Sequence, residues 1–305
     1  MAMRRSRDPV LALQARLTER DKTLLGWLYD HQLLTTPQIA HALFPSLDFA
    51  QKRLLKLLHA ELIDRFRPLR YGGGSYPWHY LLTHLGMEHV TSARGEERPR
   101  REAATARRRR LINSRLIGHL LGVNQFFLDL AGHARLRGGE LQTWLSAQQC
   151  TQPDAFGVIA IPRIRPDGHG VWSEAGVRVP FYLEWDSGTE LLTVLVGKLD
   201  SYRRHVHDQL PRWPVLLSLH SATRERNLHD RLAQAGAPAV VATSSRDYLT
   251  THQLSPADQV WLAHGAGEIG RLRLAELADL ATDPPPDVLR QRRERRPPRQ
   301  LSTYG

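Results

Sequence analysis

Residues 165–202 decide the fold of the second half of the chain and read RPDGHGVWSEAGVRVPFYLEWDSGTELLTVLVGKLDSY. Their first four residues, Arg-Pro-Asp-Gly, predict a turn. An apolar run that ends in Glu184 and Asp186 predicts a buried strand, and residues 189–206 predict a helix. Because residues two apart on a strand share a face, both carboxylates are expected on one side of the sheet.

Four polar side chains of this stretch are candidates for one catalytic site. Asp167, Glu184 and Asp186 supply hard oxygen ligands, which Mg²⁺ prefers, and Lys198 supplies a cation. A metal held there polarises a phosphoryl oxygen and activates water, while the lysine stabilises the developing charge. The predicted helix stripe that carries this lysine comprises Leu191, Leu195, Lys198 and Tyr202. The alternative is a buried ion pair of Lys198 with Glu184 or Glu190 in a domain without catalysis.

The second half of the chain alternates between strands and helices. Strands are predicted at 140–146, 158–165, 177–186, 215–219 and 239–242, and helices at 111–134, 189–206 and 223–235. The order α-β-β-β-α-β-α-β predicts an α/β (α+β) domain with a mixed sheet and helices on both faces. Asp167 is expected on the second strand, where it can meet the two carboxylates of the third.

Residues 18–92 predict three helices followed by a hairpin. Thr35 or Thr36 is a good N-cap for the second helix, with Pro37 in its first turn. The third helix covers 47–60, and the glycines of residues 72–74 mark the tip of the hairpin. This order is typical of a winged helix-turn-helix, in which the third helix enters the major groove of DNA.

Basic residues concentrate in the third helix and the hairpin. Six of the eight lysines and arginines in residues 18–92 lie there. The candidate DNA-binding residues are Gln51, Lys52, Arg53 and Lys56 of the helix and Arg65, Arg67 and Arg70 of the hairpin. Two other interpretations stay open, since winged helices also bind proteins and basic residues on a helix face are often only solvated.

The net charge of +11 is uneven along the chain. Residues 93–110 hold eight arginines against three glutamates and residues 290–305 hold six against one, so each segment contributes +5. These two segments therefore behave as cationic arms beside less charged folded parts. The predicted organisation is a basic arm 1–17, a winged helix 18–92, an Arg-rich linker 93–110, an α/β domain 111–282 and a disordered Pro/Arg-rich tail 283–305. Arginines 107–110 either grip phosphates or form a solvated helix start.

Composition excludes several classes of protein. The single cysteine, Cys150, excludes an intramolecular disulfide and a Cys-rich zinc site. No apolar run approaches the roughly eighteen residues of a membrane helix. A cytoplasmic protein that makes no membrane contact is expected, and no motif supports a small-molecule enzyme.

The motifs of the second domain resemble those of the bacterial replication-relaxation family. A winged helix followed by RPDG at 165–168, FYLEWDSGTE at 181–190 and KLDSY at 198–202 carries the resemblance, which spans about 18–245. The order of elements resembles the PD-(D/E)XK nuclease fold. In that pattern a lysine usually stands where this chain has Asp186, so Lys198 is the candidate replacement.

Two functions from different classes follow from this resemblance. The first is a DNA-binding protein of a plasmid or mobile element whose nuclease-like domain binds Mg²⁺, and the sequence leaves open whether it is an endonuclease or nickase. The second is a noncatalytic winged-helix regulator whose second domain is a scaffold for homodimerisation or partner binding. Double-stranded DNA is the expected partner in both, together with replication or transfer proteins of the same element.

Overall fold

The structure is a computed structural model that describes residues 17–68, 74–112, 114, 116–157, 164–206, 210–235, 240–264, 270–288 and 291. Contacts divide the chain into two compact units, Met1–Leu136 and Arg137–Gly305. Features predicted at 1–16, at Arg70 and the first glycines of the hairpin tip, at 158–163 and at 292–305 lie outside the described residues. Within the described part of the chain, no helix combines the length and the apolar character needed to cross a membrane.

The first unit has the predicted order of three helices and a hairpin. Its elements are α1 (Glu19–His31), β1 (Leu34–Thr35), α2 (Thr36–Leu43), α3 (Leu47–His59), β2 (Ile63–Phe66), β3 (His79–Leu82), α4 (His84–Arg94), α5 (Arg101–Ile112) and α6 (Ile117–Arg137). The strands form an antiparallel sheet in the order β1-β3-β2. Thr35 caps α2 in a capping box with Gln38, as the Thr-Thr-Pro sequence predicts.

Helices α5 and α6 complete this first unit. The side-chain amide of Asn124 in α6 donates to the carbonyls of His31 (3.1 Å) and Leu33 (2.8 Å). Gln38 of α2 donates to the carbonyl of Leu121 at 2.9 Å. Leu111 packs with Leu33 and a hairpin leucine in one buried cluster. The unit thus ends after Leu136, later in the chain than the predicted start of the second domain at 111, because α6 satisfies backbone groups of the helices before it.

The second unit contains a six-stranded mixed sheet. Its elements are β4 (Glu140–Ser146), β5 (Gly168–Glu174), β6 (Val177–Trp185), α7 (Leu192–Val206), β7 (Val215–Leu219), α8 (Ala222–Ala235), β8 (Val241–Ser245), α9 (Arg246–His252) and β9 (Leu262–Ala263). The strand order is β4-β5-β6-β7-β8-β9. Strands β4 to β6 pair antiparallel, β6 to β8 pair parallel, and β9 is antiparallel to β8. The mixed α/β architecture is therefore confirmed.

Most of the second predicted strand, 158–163, lies outside the described residues. Its last two positions, Ile164 and Arg165, are not in a strand, and a strand that was not predicted forms at Gly168–Glu174. Its first five residues are all buried, so they lack the alternation of polar and apolar residues that reveals a half-buried strand. Asp167 consequently precedes the strand instead of lying on it.

Aromatic side chains fill part of the core of this unit. His169 of β5 is fully buried and stacks on Trp213 with ring centroids 4.8 Å apart. The Nδ1 atom of His169 lies 2.8 Å from the carbonyl oxygen of Phe181 and donates to it, while Nε2 has no hydrogen-bond partner among the described residues. The imidazole is thus held neutral inside the core.

The predicted disordered tail begins too early. The indole N–H of Trp213 donates to the carbonyls of Asp283 (3.0 Å) and Pro284 (3.2 Å). Arg178 forms a bidentate pair with Asp287 at 2.8 and 3.1 Å. Residues 283–287 are therefore held against the second unit. The buried indole of Trp213 needs a hydrogen-bond acceptor, which the backbone of this segment supplies, and Arg178 of β6 pairs with the carboxylate of Asp287.

Candidate functional site

The outward face of α3 is the first candidate site. Ser46 caps the helix by accepting a hydrogen bond from the Phe49 amide at 3.2 Å, and the inward side chains are Ala50, Leu54 and Leu57. The exposed residues of the helix are Leu47, Asp48, Phe49, Gln51, Lys52, Leu55, Lys56 and His59. Of the residues predicted to bind DNA, Gln51, Lys52 and Lys56 therefore lie on the open face.

One lysine of this face has an acidic neighbour. Lys52 and Asp48 form an i, i+4 pair at 2.8 Å, with about 70% of each side chain exposed (71% and 70%). Exposed pairs of this kind contribute only about 0–1 kcal/mol. The ammonium group can therefore exchange its carboxylate for another anion at little cost.

Arg53 pairs with a buried carboxylate. Its guanidinium forms a bidentate pair with Asp21 of α1, whose side chain is fully buried, with an Nε–Oδ1 distance of 2.7 Å. Burial alone would raise the pKa of Asp21, but hydrogen bonds from Arg53 and Thr18 outweigh it and lower the pKa. Arg53 thus connects α3 to α1 through this ion pair, and its predicted DNA contact stays a prediction.

The hairpin presents two of its predicted arginines. The guanidinium carbons of Arg65 and Arg67 lie 4.0 and 4.2 Å from the ring centroid of Trp78. Arg67 also donates to the hydroxyl of Ser75 at 3.3 Å. Cation–π contacts of this kind order the two arginines beside one indole, so the hairpin carries a compact positive charge.

The arginine run of α5 is partly structural. Arg107 donates to the carbonyls of Leu28, at 3.3 Å, and Tyr29 in the last turn of α1, where a cation complements the helix dipole. Burial lowers the pKa of Arg107 to about 10. Arg108 pairs with Asp64 at 3.3 Å. These two arginines therefore attach α5 to α1 and β2. Of the predicted phosphate-binding run, Arg109 and Arg110 stay the candidates.

The second candidate site is a cluster around Glu184 in the second unit. The register of β5 and β6 pairs Gly168 with Leu183, which brings Asp167 beside Glu184. The Trp185 amide donates to Asp167 at 2.8 Å. Lys198 of α7 donates to the carboxylate of Glu184 in β6. Three of the four predicted catalytic residues therefore come together.

Glu184 is buried and fully engaged. One carboxylate oxygen accepts a hydrogen bond from the Tyr202 hydroxyl at 2.6 Å, and the other forms the ion pair with Lys198. Burial, and after it the negative charge of Asp167, raises the pKa of Glu184 to about 7. Lys198 and the hydrogen bond from Tyr202 act in the opposite direction and lower this pKa. Two carboxylates thus lie close together, and their mutual repulsion favours a proton or a cation on Glu184.

Asp186 belongs to a different contact. Arg224 of α8 binds it through two hydrogen bonds of 2.6 and 2.9 Å, and Arg246 donates to its carbonyl at 2.7 Å while lying 4.2 Å from the Trp185 ring. The carboxylate of Asp186 is thus paired with an arginine and not with Lys198, and its predicted metal-binding role stays a prediction. Across the described ranges, no group of three or more His, Cys, Asp or Glu side chains could hold a metal ion.

The sequence analysis assigned no role in the site to three of its residues, Tyr202, Arg224 and Arg246. Tyr202 lies on the predicted helix stripe, and a search for donors along that stripe would find it. Arg224 and Arg246 lie 38 and 60 residues beyond Asp186 in the chain, and no local spacing rule connects them. Leu191, which is predicted to share the helix stripe of Lys198, precedes α7 and is 72% exposed.

A comparison with protein-family models assigns the chain to a family. The family model described as replication-relaxation matches residues 25–216, more than half of the chain. The chain belongs to the replication-relaxation family. No curated protein and no solved structure matches it. The matched region contains α3, the hairpin and the Glu184 cluster but not Arg224 or Arg246, and membership places the protein in a replication-related DNA process.

Proposed function

We propose that this protein binds double-stranded DNA through α3 and the hairpin, as a winged helix does, and acts in the replication of a plasmid or other mobile element. The observation that carries the proposal is the open face of α3 with Gln51, Lys52 and Lys56. A helix with an exposed amide and exposed lysines fits the major groove, where side chains contact base edges and phosphates.

The hairpin supports the same proposal. Arg65 and Arg67 lie close to Trp78 and concentrate positive charge at the element that touches the DNA backbone in winged helices. Among the residues that the structure describes, neither arginine forms an ion pair with a carboxylate, whereas Arg53 pairs with Asp21. The structure therefore separates the basic residues into one that stabilises the fold and a set that can meet phosphates.

Lys52→Ala combined with Lys56→Ala is expected to weaken duplex binding by about tenfold or more near 0.1 M salt. Each phosphate contact releases about one counterion, so the slope of log affinity against log salt should fall by about two. Fluorescence anisotropy with a labelled duplex over a salt series measures both quantities.

Lys22→Ala is the matched control, because Lys22 is an exposed lysine of α1 that pairs with Glu19 at 2.7 Å, much as Lys52 pairs with Asp48. It should leave the affinity and the slope unchanged. An unchanged affinity of the double variant would show that α3 does not bind the DNA. An equal loss of affinity in the control would show that binding depends only on the total positive charge and not on a site at α3.

A second candidate function is Mg²⁺-dependent strand cleavage. The carboxylate pair of the half-buried Asp167 and the buried Glu184 favours it, since two neighbouring carboxylates suit a hard cation that keeps several waters. These two residues fit such an ion, whereas the carboxylate of Asp186 is paired with Arg224. A bound ion would polarise a phosphoryl oxygen and activate water, and Lys198 is placed to stabilise negative charge at the same point.

The noncatalytic alternative rests on the same contacts. Lys198 and Tyr202 already satisfy both oxygens of Glu184, which is also the arrangement of a structural ion pair. In that case the second unit serves as a scaffold for homodimerisation or for replication and transfer proteins.

Supercoiled-plasmid cleavage with Mg²⁺ separates the two. Native protein is compared with Asp167→Ala, Glu184→Ala and the control Asp200→Ala, which changes a half-buried carboxylate of α7 paired with Arg203 and Arg204. Cleavage lost only in the first two variants would assign the metal ligands. No cleavage by any protein, with duplex binding intact, would support the scaffold.

A further inference from the structure

The open face of α3 carries apolar side chains where a solvated helix would carry charges. Leu47 is 48% exposed and Leu55 is 41% exposed, and Gln51 lies between them on the open face. Residues four apart on a helix lie on one side, so these three form a single stripe. We call Leu47, Gln51 and Leu55 the reading stripe.

A second stripe runs beside it, displaced by one residue. It contains Asp48, Lys52 and Lys56. The carboxylate of Asp48 is paired with Lys52, so the stripe has a net positive charge through Lys56. One helix face thus combines an apolar, amide-bearing stripe with a cationic one. This is complementary to the major groove, where base edges with methyl groups lie between negatively charged phosphates.

The chemistry of the reading stripe selects among base pairs. A glutamine amide forms two hydrogen bonds with adenine N6 and N7, whereas guanine is read by arginine or lysine. Apolar side chains contact the thymine methyl group. The reading stripe contains one amide, two leucines and no cation. We infer that α3 reads A·T base pairs in the major groove, with Gln51 on adenine and Leu47 and Leu55 on thymine methyl groups.

This inference rests on the proposed duplex binding and adds the base composition of the site. The experiment begins with the full chain and selects high-affinity duplexes from a random library. In the selected site, thymine is then replaced by uracil, which lacks the methyl group, and adenine by 7-deazaadenine, which lacks N7. Affinity of each duplex is measured by anisotropy.

Three variants are measured on the same duplexes. For the native protein, each contacted methyl group that uracil removes should weaken binding about fourfold, and 7-deazaadenine should weaken it about fivefold or more. Leu47→Ala combined with Leu55→Ala should bind thymine and uracil duplexes alike, and Gln51→Ala should lose the response to 7-deazaadenine. Alanine is a strong helix former, so exposed positions of α3 tolerate it. The control Leu136→Ala changes an exposed leucine of α6 in the same unit and should respond as the native protein does.

The outcomes separate this inference from the proposal beneath it. Selected sites rich in G·C, or uracil and 7-deazaadenine responses that persist in the variants, would overturn the A·T reading while duplex binding stands. Salt-dependent binding without any preferred sequence would do the same. Absence of duplex binding would overturn both, and the exposed leucines would then belong to a protein contact.

Discussion

Asp21→Ala is expected to lower the free energy of unfolding of the first unit by about 3–5 kcal/mol. Removing one partner of a buried ion pair leaves the other charge uncompensated, and the variant leaves Arg53 against a buried site. The same carboxylate accepts hydrogen bonds from the amide and hydroxyl of Thr18, both at 2.7 Å, so the capping box of α1 is lost as well. Urea unfolding, with hydrogen exchange of the α1 amides to locate the loss, measures the effect.

The control is Asp48→Ala, because Asp48 also pairs with a basic residue of α3 but is 70% exposed. Its loss should cost no more than about 1 kcal/mol. Combining Asp21→Ala with Arg53→Met should recover part of the stability, since no unpaired charge remains. Equal, small effects of Asp21→Ala and Asp48→Ala would contradict the structural role of the buried pair.

Acid is expected to destabilise the second unit through His169. Burial lowers the pKa of His169 to about 3, whereas the unfolded chain binds a proton there below about pH 6.5. The stability that the neutral imidazole contributes is therefore complete above pH 6.5 and is lost as the pH falls toward 3. The loss is about 1.4 kcal/mol per pH unit, or about 3 kcal/mol between pH 6.5 and 4.

His169→Gln should remove this part of the pH dependence, so that the difference in unfolding free energy between pH 7 and pH 4 shrinks by about 3 kcal/mol. Urea unfolding at each pH provides the measurement. His252→Gln, at an exposed position of α9, is the control and should leave the profile unchanged. Parallel profiles for native protein and His169→Gln would mean that the buried ring takes up a proton without unfolding.

The fold of the first unit followed from local signals in the sequence. The Thr-Thr-Pro start of α2 and the apolar spacing of α3 placed these helices at or near their observed bounds, since a cap and a buried face together define a helix. Membership of α6 in this unit was not predictable. It depends on hydrogen bonds from Asn124 and Gln38 that join residues more than eighty positions apart.

In the second unit, too, contacts at short range along the chain were predictable and contacts between distant residues were not. The contact of Lys198 with Glu184 followed from helix and strand spacing, although the functional role of the pair stays a prediction. Strand β5 was missed because its buried glycines and His169 give no alternating pattern. The pairing of Asp186 with Arg224 links strand and helix across 38 residues, and only the folded chain brings them together.

The contacts of α6 also determine which piece of this protein can be exchanged as a module. A fusion junction in the Arg-rich segment near residue 100 would remove Asn124, which donates to the carbonyls of His31 and Leu33. It would also remove Leu111 from the cluster that Leu111 forms with Leu33 and so expose that cluster. A crossover after Leu136 would carry the whole unit intact. Fusion to an unrelated effector should therefore preserve the first unit only when the junction lies beyond the end of this long helix.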